Sequence, residues 1–145
     1  MKNDLSGMRY SKQRELILQQ VQELQDHPTA EEIYKTALHL CPSLSLGTVY
    51  RNLNSLVEMG KVRRVCIPGQ PDRFDHTLPW HGHLYCTRCG RVEDLPLDGE
   101  ALRRAVTVPQ GRISDCVVTW IGLCQACAGE LDLPKEPAGS EAAVF

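Results

Sequence analysis

Two cysteine pairs of equal spacing, Cys86-Thr87-Arg88-Cys89 and Cys124-Gln125-Ala126-Cys127, constrain this chain more than any other feature. Four thiolates from two separated C-x-x-C pairs can close a tetrahedron, the geometry that suits zinc. Gly90 directly follows the first pair, where a tight turn lets backbone amides face the sulfurs. In a chain of 145 residues with 6% aromatics, such a clamp would contribute directly to folding. The competing reading is a dithiol oxidoreductase, which places its C-x-x-C at a helix start within a βαβ unit. The first pair instead lies between two strand-like runs, Leu84–Cys86 and Arg91–Leu95, which favours the clamp. Cys41, Cys66 and Cys116 stand alone, and buried apolar packing is the expectation for each.

Seven cysteines are an odd number, and in a reducing compartment two spaced pairs favour metal thiolates over a disulfide framework. The start Met1-Lys2-Asn3-Asp4-Leu5 lacks the apolar core of a signal peptide, and no apolar run is long enough to span a bilayer. A cytoplasmic protein without membrane contact is therefore expected. The net charge of −2 gives no general sign of a nucleic-acid binder. Residues 1–78 hold ten Lys/Arg against nine Asp/Glu, and residues 79–145 six against nine, so only the first part is slightly basic. The local cluster Lys61-Val62-Arg63-Arg64 is more specific.

Helical spacing of Leu16, Ile17, Val21 and Leu24 predicts a helix over 10–25, with Ser11 as its cap. His27-Pro28 breaks it. Thr29-Ala30-Glu31-Glu32 reads as a capping box opening a second helix that buries Ile33, Ala37 and Leu40. Ser45 caps a third, whose stripe Val49, Leu53, Leu56 and Val57 is buried and whose end is Gly60. Tyr50, Arg51 and Asn54 fall away from that stripe. Val62–Ile67, a Pro-Gly turn and Asp72–Asp75 then form a hairpin. Three helices and a hairpin make a winged helix-turn-helix, with the third helix able to enter a major groove and Arg63, Arg64 or Arg73 able to reach phosphates. Residues 76–80 look like a hinge. Beyond it, a helix over Asp98–Val106 and a β-branched strand over Arg112–Gly122 accompany the cysteine strands. The expected architecture is α+β: a winged-helix domain over 1–78, an α/β domain over 79–133 and a Pro-, Ala-, Gly- and Glu-rich disordered tail over 134–145.

His81 and His83 would share one face of a strand, while Cys86 has the opposite parity. Two separate sites follow. Imidazole with carboxylate and no thiolate suits Fe(II), Mn(II) or Zn(II), and Asp75, Asp94 and His27 are available partners. The residues by themselves do not join these five, and a non-haem iron catalyst built on His81, His83 and Asp94 stays open.

The stretches Tyr10–Arg14, His27–Tyr34, Thr48–Leu53, Arg73–Asp75 and His81–Gly90 resemble the ferric uptake regulator superfamily of bacterial metal- and peroxide-responsive repressors, over about residues 8–133. The resemblance implies a homodimer that binds double-stranded operator DNA, with the second domain serving dimerisation. It implies structural zinc on Cys86, Cys89, Cys124 and Cys127, and a regulatory Fe(II) or Mn(II) on His27, Asp75, His81, His83 and Asp94. The expected DNA contacts are Ser45, Thr48, Tyr50, Arg51, Lys61, Arg63 and Arg64. Aspartates at 75 and 94 look like the peroxide-sensing branch, in which hydrogen peroxide is the signal and the residues matching His27 and His81 are oxidised. Iron-sensing relatives, the alternative, tend to carry glutamate there. Ser114-Asp115-Cys116 lacks the histidine of a further family metal site, and no cysteine lies between Cys66 and Cys86 as a zinc sensor would require.

Overall fold

A computed structural model describes residues 4–107 and 111–131, with side chains from residue 10 onward; the tail expected over 134–145 lies outside the described residues. Three helices come first: α1 (Asp4–Leu24), α2 (Ala30–Leu40) and α3 (Leu46–Glu58). Ser11 is an exposed residue inside α1 and not its cap. No proline interrupts residues 4–10, so nothing forces the helix to begin at Ser11.

The capping box of α2 forms as expected. The Glu32 amide donates to Thr29 Oγ1 at 3.3 Å, and the Thr29 amide donates to the Glu32 carboxylate at 2.8 Å. Ile33 and Ala37 are buried, but Leu40 is 64% exposed. It lies in the last turn, and Leu44 from the following turn enters the core instead. Ser45 caps α3, and Gly60 takes the left-handed conformation (φ 67°) that ends it. Val49, Leu53 and Leu56 pack with Ile17 and Val21 of α1, Ile33 and Ala37 of α2, and Val62 and Phe74.

The hairpin is shorter than its apolar pattern predicts: β1 (Arg63–Val65) pairs antiparallel with β2 (Arg73–Asp75). Side chains alternate along β2. Phe74 enters the helical core, while Arg73 and Asp75 reach toward the second half of the chain. Val65 and Ile67 meet Val92 and Tyr85 in a small cluster that joins the two halves.

That second half comprises β3 (Gly82–Cys86), β4 (Val92–Leu95), α4 (Gly99–Arg104), β5 (Thr119–Gly122) and α5 (Gln125–Glu130). β3 is central, antiparallel to β4 and parallel to β5. The strand expected over 112–122 pairs only over Thr119–Gly122, because β3 offers a partner only along His83–Cys86. Residues 112–118 accordingly carry no ladder, and Cys116 among them is exposed, as is Cys66; neither is packed as expected. Cys41 is partly buried against the helical core.

Phe74 anchors β2 in the first core while its neighbours face the second half. Phe74→Ala is expected to cost about 3–5 kcal/mol, the usual range for a buried Phe truncation. Urea unfolding of the purified chain measures it.

Candidate metal centres

Two groups of metal-capable side chains form among the described residues, and they share no member. The first is built on a turn. Cys86 ends β3, the chain reverses through Thr87–Gly90, and the Gly90 amide donates to Cys86 O at 2.8 Å. Gly90 has φ 74°, a conformation that disfavours any side chain. Cys124 immediately precedes α5, and Cys127 lies one turn in. The four sulfurs lie within 4.8 Å of one another, and Cys89 Sγ is 3.8 Å from Cys124 Sγ. Four thiolates about 2.3 Å from a tetrahedral zinc would be about 3.8 Å apart, so the knot fits that ion. Backbone N–H groups of Cys89 and Cys124, aided by that of Arg88, point at the Cys86 sulfur and lower its thiol pKa to about 6 against the opposing effect of burial. A hydrogen bond that the Cys127 thiol donates to Cys124, followed by burial, pushes Cys127 up instead. Four thiols sharing protons in one knot, three of them buried, are the protonated form of a site that a dication would hold as thiolates.

The second group draws on five places in the chain. His27 lies between α1 and α2, Asp75 ends β2, His81 precedes β3, His83 lies within it, and Asp94 lies on β4 directly opposite His83. One donor atom from each falls within 4.8 Å of all the others. His81 Nε2 is 2.9 Å from Asp75 Oδ2 and 3.1 Å from Asp94 Oδ1. His83 Nε2 lies 3.3 and 3.5 Å from the same two oxygens, and His27 Nε2 lies 3.7 and 2.7 Å from them. Donors about 2.1 Å from an ion are about 3 Å apart at adjacent octahedral positions, so the set fits a five- or six-coordinate cation. Histidines and aspartates without sulfur make a harder donor set than the knot.

Burial by itself would raise the Asp75 carboxyl. The hydrogen bond from His83, the Thr77 amide N–H at 2.8 Å and the neighbouring His27 and His81 outweigh it and hold the group below the ordinary carboxylate range. His81 is oriented through Nδ1, 2.7 Å from Pro79 O, which leaves Nε2 to face the centre. His27 has no such partner among the described residues: its buried Nδ1 is unmatched there, and its backbone is left-handed at φ 53°. A non-glycine residue in that region costs about 1–3 kcal/mol and persists only where the surroundings impose it.

The residues expected to meet DNA run from the start of α3 through it to the first hairpin strand. Ser45 Oγ lies 2.8 Å from Thr48 Oγ1, which also accepts from the Arg51 guanidinium at 3.0 Å. The exposed Tyr50 donates to Glu31 at 2.8 Å, a bond that raises its pKa and keeps the phenol protonated. Lys61 is exposed and Arg63 partly so. Arg64 differs: it pairs with Asp72 at 2.8 Å, donates to Asn54 and lies over the Phe74 ring. Arg73, expected to reach phosphates, turns inward and donates to His27 O and Gly90 O, both at 3.2 Å. Nothing in the composition marked that contact; its one signal is that Arg73 shares strand parity with Asp75.

Residues 5–110 match the model of the ferric uptake regulator family. The peroxide operon regulator of Bacillus subtilis (strain 168) is 33% identical over 125 residues, covering 85% of this chain and 86% of the relative. Among solved structures, the Campylobacter jejuni peroxide stress regulator superposes with TM-score 0.67 at 29% identity, covering 83% of this chain and 92% of that one. The ferric uptake regulator of Pseudomonas aeruginosa with manganese gives TM-score 0.60 at 26% identity, covering 78% and 87% respectively.

Two donor sets predict two distinguishable ions. Cobalt(II) titration of the chain stripped of metal should give a thiolate charge-transfer band from the knot and a weaker, sulfur-free spectrum from the second centre. Cys89→Ser should reduce the first; a spectrum identical to that of the unaltered chain would show that the four sulfurs do not act as one ligand set.

Proposed function

The chain belongs to the ferric uptake regulator family, and from that premise we propose that it is a metal-dependent, peroxide-responsive transcriptional repressor acting as a homodimer on double-stranded operator DNA. The observation that carries this reading is the origin of the five donors. His27 and Asp75 belong to the helical part and its hairpin, whereas His83 and Asp94 belong to the sheet. An ion held by all five ties the reading head to the second half. In a dimer, that tie sets whether both third helices can meet successive major grooves. The ion is then an allosteric ligand favouring one arrangement.

The division we propose is a winged-helix part over 1–78 and a dimerisation part over 79–133, the latter clamped by zinc on Cys86, Cys89, Cys124 and Cys127. Fe(II) or Mn(II) would occupy His27, Asp75, His81, His83 and Asp94. Bound Fe(II) would supply the redox chemistry that opens the peroxide O–O bond, with the histidine ring as the net two-electron reductant. Around it, Asp75 and Asp94 hold the three imidazoles within bonding distance of one ion. His81 and His83 also line a cleft of about 470 Å³ between the hairpin and the sheet, a route for a molecule as small as peroxide. Insertion of one oxygen into the ring carbon of His27 or His81, with water as the other product, would remove a good donor, weaken ion binding and free the operator.

The Bacillus and Campylobacter relatives support the peroxide branch, as does aspartate at both 75 and 94. An iron-responsive repressor is the second reading, supported by the likeness to the Pseudomonas regulator. Mass spectrometry of the iron-loaded chain after brief peroxide exposure separates them: an added oxygen on His27 or His81 is expected, and its absence favours the second reading. Asp75→Ala should abolish metal-dependent operator retardation; unchanged affinity would remove Asp75 from the regulatory set.

The cations on the DNA side give a graded expectation, since Lys61 and Arg63 have no ion pair among the described residues. Neutralising Lys61 or Arg63 should each reduce the salt dependence of operator affinity by about one unit of slope. Arg64→Ala should reduce it less, because Arg64 is already paired with Asp72. Equal slopes for all three would mean that the intramolecular pair opens on DNA.

A further inference from the structure

We propose that Arg73 is a positioning residue that couples the sulfur knot to the five-donor centre by fixing the backbone of His27. The proposal rests on the reading that the second centre binds a regulatory ion. The His27 ring meets Asp94 through Nε2 but is not secured through its other nitrogen. His81 is held through Nδ1 by Pro79 O, whereas the buried Nδ1 of His27 has no partner among the described residues. The direction of the His27 ring therefore depends on its main chain. That main chain is left-handed and must be held from outside.

Arg73 holds it. One guanidinium nitrogen donates to His27 O and the other to Gly90 O, each at 3.2 Å. The neighbouring Phe74 amide donates to Pro28 O at 2.9 Å, so β2 grips the α1–α2 connection on both sides of the His27–Pro28 bond. At the other end, the Gly90 carbonyl belongs to the turn that bends Cys86 and Cys89 toward each other, and the Gly90 amide is committed to Cys86 O. Arg73 makes no ion pair among the described residues, and its donors go to these two carbonyls. A planar fork can bridge two acceptors in fixed directions; the ammonium of lysine is a point charge and cannot reproduce it. Any reshaping of the cysteine turn would move Gly90 O and, through this bridge, the ligand His27. Arg73 also shares its strand face with Asp75, so one short strand supplies a ligand and aligns another.

Arg73→Lys and Arg73→Met, in the zinc-loaded full-length chain, test the proposal. Mn(II) binding is followed by the electron paramagnetic resonance signal of free Mn(II). Amide exchange at residues 26–28 is followed without Mn(II). Both variants should keep their zinc and their thermal midpoint, exchange faster at 26–28, and bind Mn(II) about 10–100-fold more weakly, the range seen when a ligand's outer support is removed. Unchanged Mn(II) affinity, or unchanged exchange at 26–28, would overturn it. Loss of zinc or of folding in both variants would also overturn it, by making Arg73 a residue of the fold at large. If the unaltered chain itself takes up no Mn(II), the functional reading falls with it. That failure is recognisable because it occurs before any substitution at Arg73.

Discussion

The arrangement depends on a buried carboxylate facing three imidazoles. Asp75 is 3% exposed, and Nε2 atoms of His27, His81 and His83 all approach the same oxygen, Oδ2. Burying an isolated carboxylate is costly unless it is hydrogen-bonded, paired or bound to a cation. Here the compensating groups come from a helix connection, a loop and a strand, so neutralising one charge requires the two halves of the chain to meet. The small apolar cluster of Val65, Ile67, Val92 and Tyr85 supports the same junction, but without direction. The polar centre supplies the direction, because donor atoms have preferred angles and a cation would add its own.

The sulfur knot and the five-donor centre differ in chemistry and in what they connect. The knot joins the end of β3 to α5, both within the second half, and thus secures the sheet. The other centre spans both halves. A soft, closed tetrahedron suits an ion that stays; a harder and partly open site, with Asp94 45% exposed, suits one that exchanges. Through Arg73 the two are not independent, since the cysteine turn and the His27 carbonyl share one guanidinium.

Much of the architecture was legible along the chain. The capping box at Thr29, the Ser45 cap, the Gly60 terminus and the Pro-Gly hairpin are local signals, and each element formed at or near its predicted place. The errors arose where partners decide. Residues 112–118 have the composition of a strand, yet β3 is too short to pair with them. Leu40 fits a helical stripe, yet Leu44 enters the core. Cys66 and Cys116 have a buried residue's chemistry but lie on the surface.

What the sequence by itself determined were the two donor chemistries and their separation: C-x-x-C spacing is local, and strand parity divides His83 from Cys86. The tertiary structure alone decided that His27 and Asp75 join His81, His83 and Asp94, and that Arg73 faces inward instead of toward phosphates. The physical reason is distance along the chain. Spacing and alternation act over a few residues, whereas bringing His27 to 2.7 Å from Asp94, 67 residues away, requires the helical core, the hairpin and the sheet all to be in place.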